Sequence, residues 1–266
     1  MTYEKIRSIE DAVVLSEIAA DAGALMLANG AEIYRVEDTV ERIIRSKESM
    51  KDVDVYSALN VIIISFSYKG EIYSNVRRVK SRSNNLHYVD KVNSFSRKFS
   101  KGEYTLEEAL IEIDNIKKTP GISINQKILG ATVASGAYSL LLGAGIGEVI
   151  SSLLVGFLGY IFSLELEKNN LTYFVVNFLY GASVSFLTLL LHLLIGINKN
   201  VVIISAMMAF VPGIMITNAV RDLMSGDATS GMTAAMIAIL ISTALALGVA
   251  IPISLFRFAG LVWTIY

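Results

Sequence analysis

Residues 211–231, VPGIMITNAVRDLMSGDATSG, combine a helix break with several polar side chains, and apolar runs lie on both sides of them. Pro212 and Gly213 interrupt the first apolar run, and a turn at Gly226 precedes the second. Proline and glycine in a spanning helix free backbone groups that must be satisfied again, often at a broken helix that lines a cavity. Polar groups at a membrane boundary are costly unless they are paired or in contact with water. The stretch is therefore predicted to be a helix break that carries a functional site.

Polar and charged residues of this stretch are spaced so that they can share one face of a helix and form a binding site. Asn218 lies three residues before Arg221 and four before Asp222, so a continuing helix places all three on one face. The next helix is predicted to begin at about Thr229, and its free N–H groups and positive dipole end point back toward that face. Arg221 and a helix N-terminus together suit a carboxylate, while Asp222 or Asp227 could hold an ammonium group, a cation or a coupling proton. The alternative is an interfacial loop in which Arg221 meets lipid phosphate and Asp227 caps the helix.

The distribution of charge divides the chain into two parts. Of the 266 residues, 53% are hydrophobic and 18% are charged, and most of the charged residues precede Lys127. This pattern predicts a small α+β cytosolic domain at residues 1–119 and an α-helical integral membrane domain at residues 120–266. The first residues, MTYEKIRSIEDAVV, lack the apolar core of a signal peptide, so the N-terminal domain is expected to stay in the cytoplasm. The predicted location is the cell (inner) membrane.

The membrane part is long enough for several crossings, since one spanning helix needs about 20 mainly apolar residues. Lysine and arginine near the helix ends favour the N-terminal domain inside and the C-terminus outside. Five transmembrane helices are predicted, at about 127–144, 147–164, 171–195, 201–220 and 232–256.

The first part of the chain shows the periodicities of a mixed domain. Helical spacing predicts helices at 9–28 and 32–47, and β-like runs at 61–68 and 71–79 flank a Lys69-Gly70 turn. Glu32 follows the tight Asn29-Gly30 turn and could be a coupling or proton-handling carboxylate. A glutamate in a first helical turn is also a plain dipole effect, so both interpretations stay open.

Several functions have little support in the sequence. The chain has no cysteine, which excludes disulfides and Cys-ligated metal, and two histidines exclude a His-rich metal site. Glycine-rich phosphate loops and Ser-His-Asp spacing are absent from the sequence, so no cofactor and no enzyme activity are predicted. A basic run has no interleaved aromatic platform and favours a solvated strand end or anionic lipid over nucleic acid; it consists of Arg77, Arg78, Lys80 and Arg82.

The stretch at residues 211–231 resembles the hallmark of the threonine/serine exporter (ThrE/YjjP) family. The resemblance rests on residues 211–227 with Thr229, Ser230 and Gly231, and on the N-terminal motif Asn29-Gly30-Ala31-Glu32. It implies an inner-membrane exporter of small carboxylates: threonine and serine, or succinate-type dicarboxylates in two-component members. The positions that match the family pattern are Gly30, Glu32, Pro212, Gly213, Asn218, Asp222 and Gly226.

Five spans without a second membrane half make the chain similar to the larger subunit of the split form. That similarity implies a smaller membrane subunit as partner, an oligomer in the lipid bilayer, and a second half of opposite orientation completing an inverted pair. A membrane-anchored enzyme with its active site in the cytosolic domain is the alternative, and a scaffold or sensor that does not transport is a third.

Overall fold

The computed structural model describes residues 5–80, 83–169 and 171–261. Within these ranges the chain forms ten helices and three strands. In chain order they are α1 Ile9–Ala28, α2 Ile33–Arg45, β1 Lys51–Ala58, β2 Val61–Tyr68, β3 Glu71–Arg78, α3 Leu86–Ser100, α4 Leu106–Lys118, α5 Ile124–Leu141, α6 Ile146–Glu167, α7 Tyr173–Ile195, α8 Lys199–Met207, α9 Gly213–Met224 and α10 Ala228–Phe258.

The elements form two compact units. The first comprises Met1–Gly121 and Ile214–Ala235, and the second comprises Ile122–Gly213 and Met236–Tyr266. The first unit therefore contains α9 and the beginning of α10 in addition to the N-terminal part of the chain.

The first unit is built on an antiparallel sheet in the order β1-β2-β3. Lys69 and Gly70 join β2 to β3 with φ angles of 53° and 88°, the two positive values that a tight hairpin turn requires. Alternate residues of β2 are buried against the helices, among them Ile62, Ile64 and Phe66. The predicted α+β character and the hairpin are confirmed. Arg82 of the basic run lies outside the described residues, and Arg77 pairs with Asp21 at 3.2 Å.

The second unit is helical and packs through small residues. A Cβ built on Gly156 of α6 would lie 2.2 Å from Ser135 Oγ of α5, and one on Gly181 of α7 would lie 2.6 Å from the carbonyl oxygen of Leu245 in α10. Neither glycine has room for a side chain at these contacts. Small residues of this kind let helices approach closely in lipid. The Tyr180 hydroxyl donates to the carbonyl of Ala206 at 2.6 Å and ties α7 to α8.

Among the described residues, three helices are long and apolar enough to cross a membrane. They are Ile146–Glu167, Tyr173–Ile195 and Ala228–Phe258. The predicted count of five is not confirmed. At 31 residues, α10 is about 46 Å long and exceeds the hydrocarbon core of about 30 Å.

One predicted helix differs from the structure. Residues 201–220 were predicted as one span with a break at Pro212 and Gly213, and in the structure helical structure ends at Met207 and resumes at Gly213. Pro212 explains the interruption, because proline lacks an N–H and disfavours the helical conformation of the residue before it. The helix break predicted at Pro212 and Gly213 is therefore a real gap between two helices, not a kink in one.

Candidate functional site

Three side chains of α9 contact the turn between α1 and α2, all within the first unit. Asn218 Nδ2 donates to the carbonyl of Gly30 at 3.0 Å, and Arg221 Nη1 donates to Glu32 Oε1 at 2.5 Å. Asp222 Oδ1 accepts from the backbone N–H of Ile33 at 3.1 Å. The structure therefore joins the two sequence motifs that carried the family resemblance.

The conformation of this turn depends on Gly30. Helix α1 ends with Ala31 N–H donating to Met26 at 3.1 Å, a closure that places the residue before it in the left-handed region. Gly30 has a φ of 88° there, and an added Cβ would meet Asn84 Oδ1 at 2.9 Å. Both the backbone conformation and the available space favour glycine. This left-handed conformation of Gly30 directs its carbonyl toward Asn218 of α9.

The N-terminus of α2 is capped by a distant residue. Glu32 occupies the cap position, yet its own side chain makes no capping hydrogen bond. Asp222 supplies the acceptor instead, and only 2% of its surface is exposed. A carboxylate that accepts from a free N–H at a helix N-terminus also benefits from the positive end of the helix dipole. The Asp222 contact therefore stabilises the start of α2 and fixes α9 against it.

Glu32 holds two arginines. Its Oε1 accepts from Arg221, and its Oε2 accepts from Arg35 Nη1 at 3.2 Å. Burial opposes the charge on Glu32, but its own backbone N–H and the two guanidinium groups outweigh burial and lower the pKa of the carboxyl. The Glu32 side chain is 8% exposed and that of Arg221 is 56% exposed. The cation of this pair is accessible, whereas the anion is enclosed.

The remaining predicted residues lie where α9 turns into α10. Gly226 ends α9 with a φ of 95°, and Asp227 N–H donates to the carbonyl of Asp222 at 2.9 Å. Asp227 lies directly before α10, whereas Thr229 is exposed and its carbonyl accepts from Thr233 Oγ1 at 2.7 Å. In the described part of the chain, no hydrogen bond or ion pair joins the Thr229 side chain to Arg221 or Glu32.

Sequence reasoning missed Glu37 of α2. Its Oε1 accepts from the backbone N–H of Ser57 at 2.6 Å. Burial raises the pKa of Glu37 against the effect of that hydrogen bond, and the neighbouring charges of Asp227, Asp222 and Glu41 raise it further. The signal was present in the spacing, since Glu37 lies four residues after the buried Ile33 and so shares its face.

Metal binding has no support in the described residues. No group of three or more His, Asp or Glu side chains in ranges 5–80, 83–169 and 171–261 could hold a metal ion. The chemistry available at the site is that of an accessible guanidinium, enclosed carboxylates and an amide.

These features define a class: a helical membrane protein in which the charged segment at a helix break packs against an α+β unit. The family follows from the sequence comparison. The sequence model described as "Putative threonine/serine exporter" matches residues 17–256, and the chain belongs to that family. The match includes the turn at Gly30, α9 and the start of α10. No curated protein and no solved structure matches the chain.

Proposed function

We propose that this protein is a subunit of an inner-membrane secondary exporter of small carboxylate metabolites, and that Arg221 binds the carboxylate of the substrate. Threonine and serine, or succinate-type dicarboxylates, are the substrate classes. The observation that carries the proposal is the accessible guanidinium of Arg221, held at the helix break of a chain in an exporter family. Arginine suits this role because its planar fork binds carboxylates bidentately.

Glu32 acts in this proposal as a resident carboxylate. It occupies Arg221 when substrate is absent, and the carboxylate of the substrate takes its place on the guanidinium. Exchange of one carboxylate for another conserves charge pairing on Arg221, so Arg221 is paired in either state. Glu32 keeps Arg35 as a partner after the exchange, which reduces the cost of leaving a buried carboxylate unpaired.

The other site residues position this exchange. Asn218 and Asp222 hold α9 against the α1–α2 turn through their contacts with Gly30 and Ile33. Asp227 is placed before α10 and could bind the ammonium group of an amino acid or a coupling ion. Thr229, exposed in the first turn of α10, would contact substrate only in another conformation of the transporter.

The proposal includes a partner and a driving force. A smaller membrane subunit of the same family would complete an inverted pair, with the substrate path at the repeat interface. The N-terminal domain faces the cytoplasm, where the substrate is collected. An ion or substrate gradient supplies the energy, in keeping with a secondary transporter.

The test replaces the chromosomal gene by variants, so that any natural partner is present. Cells are loaded with labelled threonine, serine or succinate, and efflux is measured. Arg221→Ala should reduce saturable efflux of one of these solutes about ten- to hundredfold, since a hydrogen bond to a charged group contributes roughly 1.5–3 kcal/mol.

Arg42→Ala is the matched control, because it removes another arginine of the first unit, one that pairs with Asp38 outside the site. It should export within about twofold of the wild type. Membrane levels of both variants are measured by immunoblot. Equal efflux from Arg221→Ala and wild-type cells would refute the role of Arg221. No change in efflux of any of the three solutes on deleting the gene would refute export itself.

A further inference from the structure

The outer edge of β3 is open to a further strand. Among the described strands, β2 alone pairs with β3, in a register that places Tyr68 opposite Glu71. In a two-residue hairpin the residues flanking the loop exchange hydrogen bonds, and such pairs recur at every second residue. The odd-numbered residues of β3 therefore bond to β2. Ile72, Ser74 and Val76 direct their N–H and C=O groups to the open edge.

The open edge carries apolar side chains and no bulge, and its charged residues lie at the two ends of the strand. Ile72 is 80% exposed and Val76 is 62% exposed, and both project from the sheet face that the helices leave uncovered. The opposite edge of the sheet is different. Strand β1 carries a register shift between Lys51 and Asp54 and a left-handed residue, Asp52, with a φ of 46°. Bulges and charges are the devices that protect an edge strand from pairing. Strand β1 has both, whereas the pairing of β3 with β2 is regular over its whole length.

One antiparallel register makes β3 complementary to itself. Residues directly opposite one another project from the same face, so Ile72 can lie opposite Val76 but not opposite an odd-numbered residue. With Ile72 opposite Val76, Ser74 lies opposite Ser74 of the second copy, on the twofold axis. The same register places Glu71 opposite Arg77.

This register pairs apolar side chains with apolar ones and acidic side chains with basic ones. Each twofold-related pair of strands would gain two Ile72–Val76 contacts on one face and two Glu71–Arg77 charge pairs on the other. Arg77 keeps its present contact with Asp21, and its Nε is buried without a hydrogen-bond partner in the described residues. The backbone groups of Ile72, Ser74 and Val76 would pair with their counterparts.

We infer that two copies of this chain associate through their β3 strands, antiparallel about Ser74, to form a continuous six-stranded sheet. The inference is independent of what the protein transports. It assigns a homodimer interface to the first unit, built from backbone hydrogen bonds along an unprotected edge.

Cysteine cross-linking tests this register directly, because the chain contains no cysteine. In a hydrogen-bonded antiparallel pair the Cα atoms are about 5.5 Å apart, within the range of about 4.4–6.8 Å that a disulfide spans. Ser74→Cys, oxidised in native membranes with copper phenanthroline, should give a covalent dimer on a non-reducing gel. Ser65→Cys, the neighbour of Ser74 on the central strand, lies three strand spacings, about 14 Å, from its copy and should stay monomeric.

Two further variants distinguish this register from other contacts. Ile72→Cys and Val76→Cys should each fail to link alone, since each is offset from its own copy by four residues, about 14 Å. Co-expressed with different tags, they should link to each other. Adding Val76→Lys to the Ser74→Cys chain should slow linking at least about fivefold, because a charge at the edge opposes pairing. Linking of Ser74→Cys no faster than Ser65→Cys, or efficient linking of Ile72→Cys alone, would overturn the inference.

Discussion

At the scale of single residues, the ion pair of Glu32 and Arg221 decides how the site is interpreted. The two partners differ in exposure, since the Glu32 carboxylate is enclosed and the Arg221 guanidinium is accessible. Exposed ion pairs contribute little to stability, about 0–1 kcal/mol. In the proposed exporter, the pair keeps the arginine in position with a carboxylate that the carboxylate of the substrate can replace.

Asp222 is expected to act through structure. Asp222→Ala should lower the free energy of unfolding by about 1–3 kcal/mol, because the buried N–H of Ile33 loses its acceptor. Asp222→Asn retains an oxygen that can accept and should lose less. The apparent Tm of both variants in detergent, compared with the wild type, checks this order. An alanine variant as stable as the asparagine variant would show that the capping contact is not needed.

Glu37 makes stability depend on pH. Its pKa is raised by burial and by the charges of Asp227 and Asp222, so the folded protein favours the protonated carboxyl. The contribution of the protonated Glu37 carboxyl to the free energy of unfolding is fully present below the ordinary glutamate pKa. It is lost as pH rises through the higher pKa of Glu37 in the folded state. Glu37→Gln, which still offers an oxygen to Ser57 N–H, should raise the Tm at neutral pH.

The pH series supplies the control for this prediction. The difference in Tm between Glu37→Gln and the wild type should shrink as pH falls toward about 4, where glutamate is protonated in the unfolded chain as well. A difference that is the same at every pH between 4 and 8 would argue against a charge effect.

At the scale of elements, α9 and the start of α10 form a tight helical hairpin. A Cβ on Gly231 would lie 2.9 Å from both the carbonyl oxygen of Ala219 and the backbone nitrogen of Leu223. Backbone atoms cannot move aside as a flexible side chain can, so Gly231→Ala should cost about 1–3 kcal/mol and shift the Asn218–Gly30 contact. The control is Gly130→Ala in α5, where an added Cβ meets nothing within 4 Å.

Proteolysis can measure this effect on the hairpin. Gly231→Ala should be cut faster by trypsin at Arg221 than the wild type, whereas Gly130→Ala should be cut at the wild-type rate. Equal rates for all three proteins would mean that the α9–α10 hairpin accommodates the methyl group.

The elements that follow from local rules were predictable from the sequence. The hairpin at Lys69-Gly70 matches the structure because turn chemistry acts over a few residues. The length of the non-helical segment between Met207 and Gly213 was not predicted, because hydropathy alone makes residues 201–220 resemble one span.

The contacts of the candidate site could not be predicted by the same rules. Spacing placed Asn218, Arg221 and Asp222 on one helix face, and they do lie on α9. Their partners at Gly30 and Glu32 lie almost 190 residues away in sequence, and no local pattern specifies such a contact. Arg221 and the N-terminus of the following helix were expected to bind a carboxylate together, and in the structure Arg221 pairs with the carboxylate of Glu32.

At the scale of the whole molecule, the proposed orientation can be checked with single cysteines. Glu48 and Asn200 are both exposed and lie in different units. If the N-terminal domain is cytoplasmic and α5, α6 and α7 all cross the membrane, as the five-span prediction requires, an impermeant thiol reagent applied to whole cells should label Asn200→Cys and not Glu48→Cys. Permeabilised cells should label both. Labelling of Glu48→Cys in intact cells would reverse the orientation.

The central claim is that a substrate carboxylate replaces Glu32 on Arg221. The most direct measurement is the internal threonine, serine or succinate concentration that gives half-maximal efflux in cells carrying Glu32→Gln. The neutral amide competes less well for the guanidinium, so this concentration should fall about tenfold below that of the wild type, equivalent to roughly 1.4 kcal/mol. An unchanged or higher half-saturating concentration for every solute would contradict the claim and leave the Glu32–Arg221 pair a structural contact.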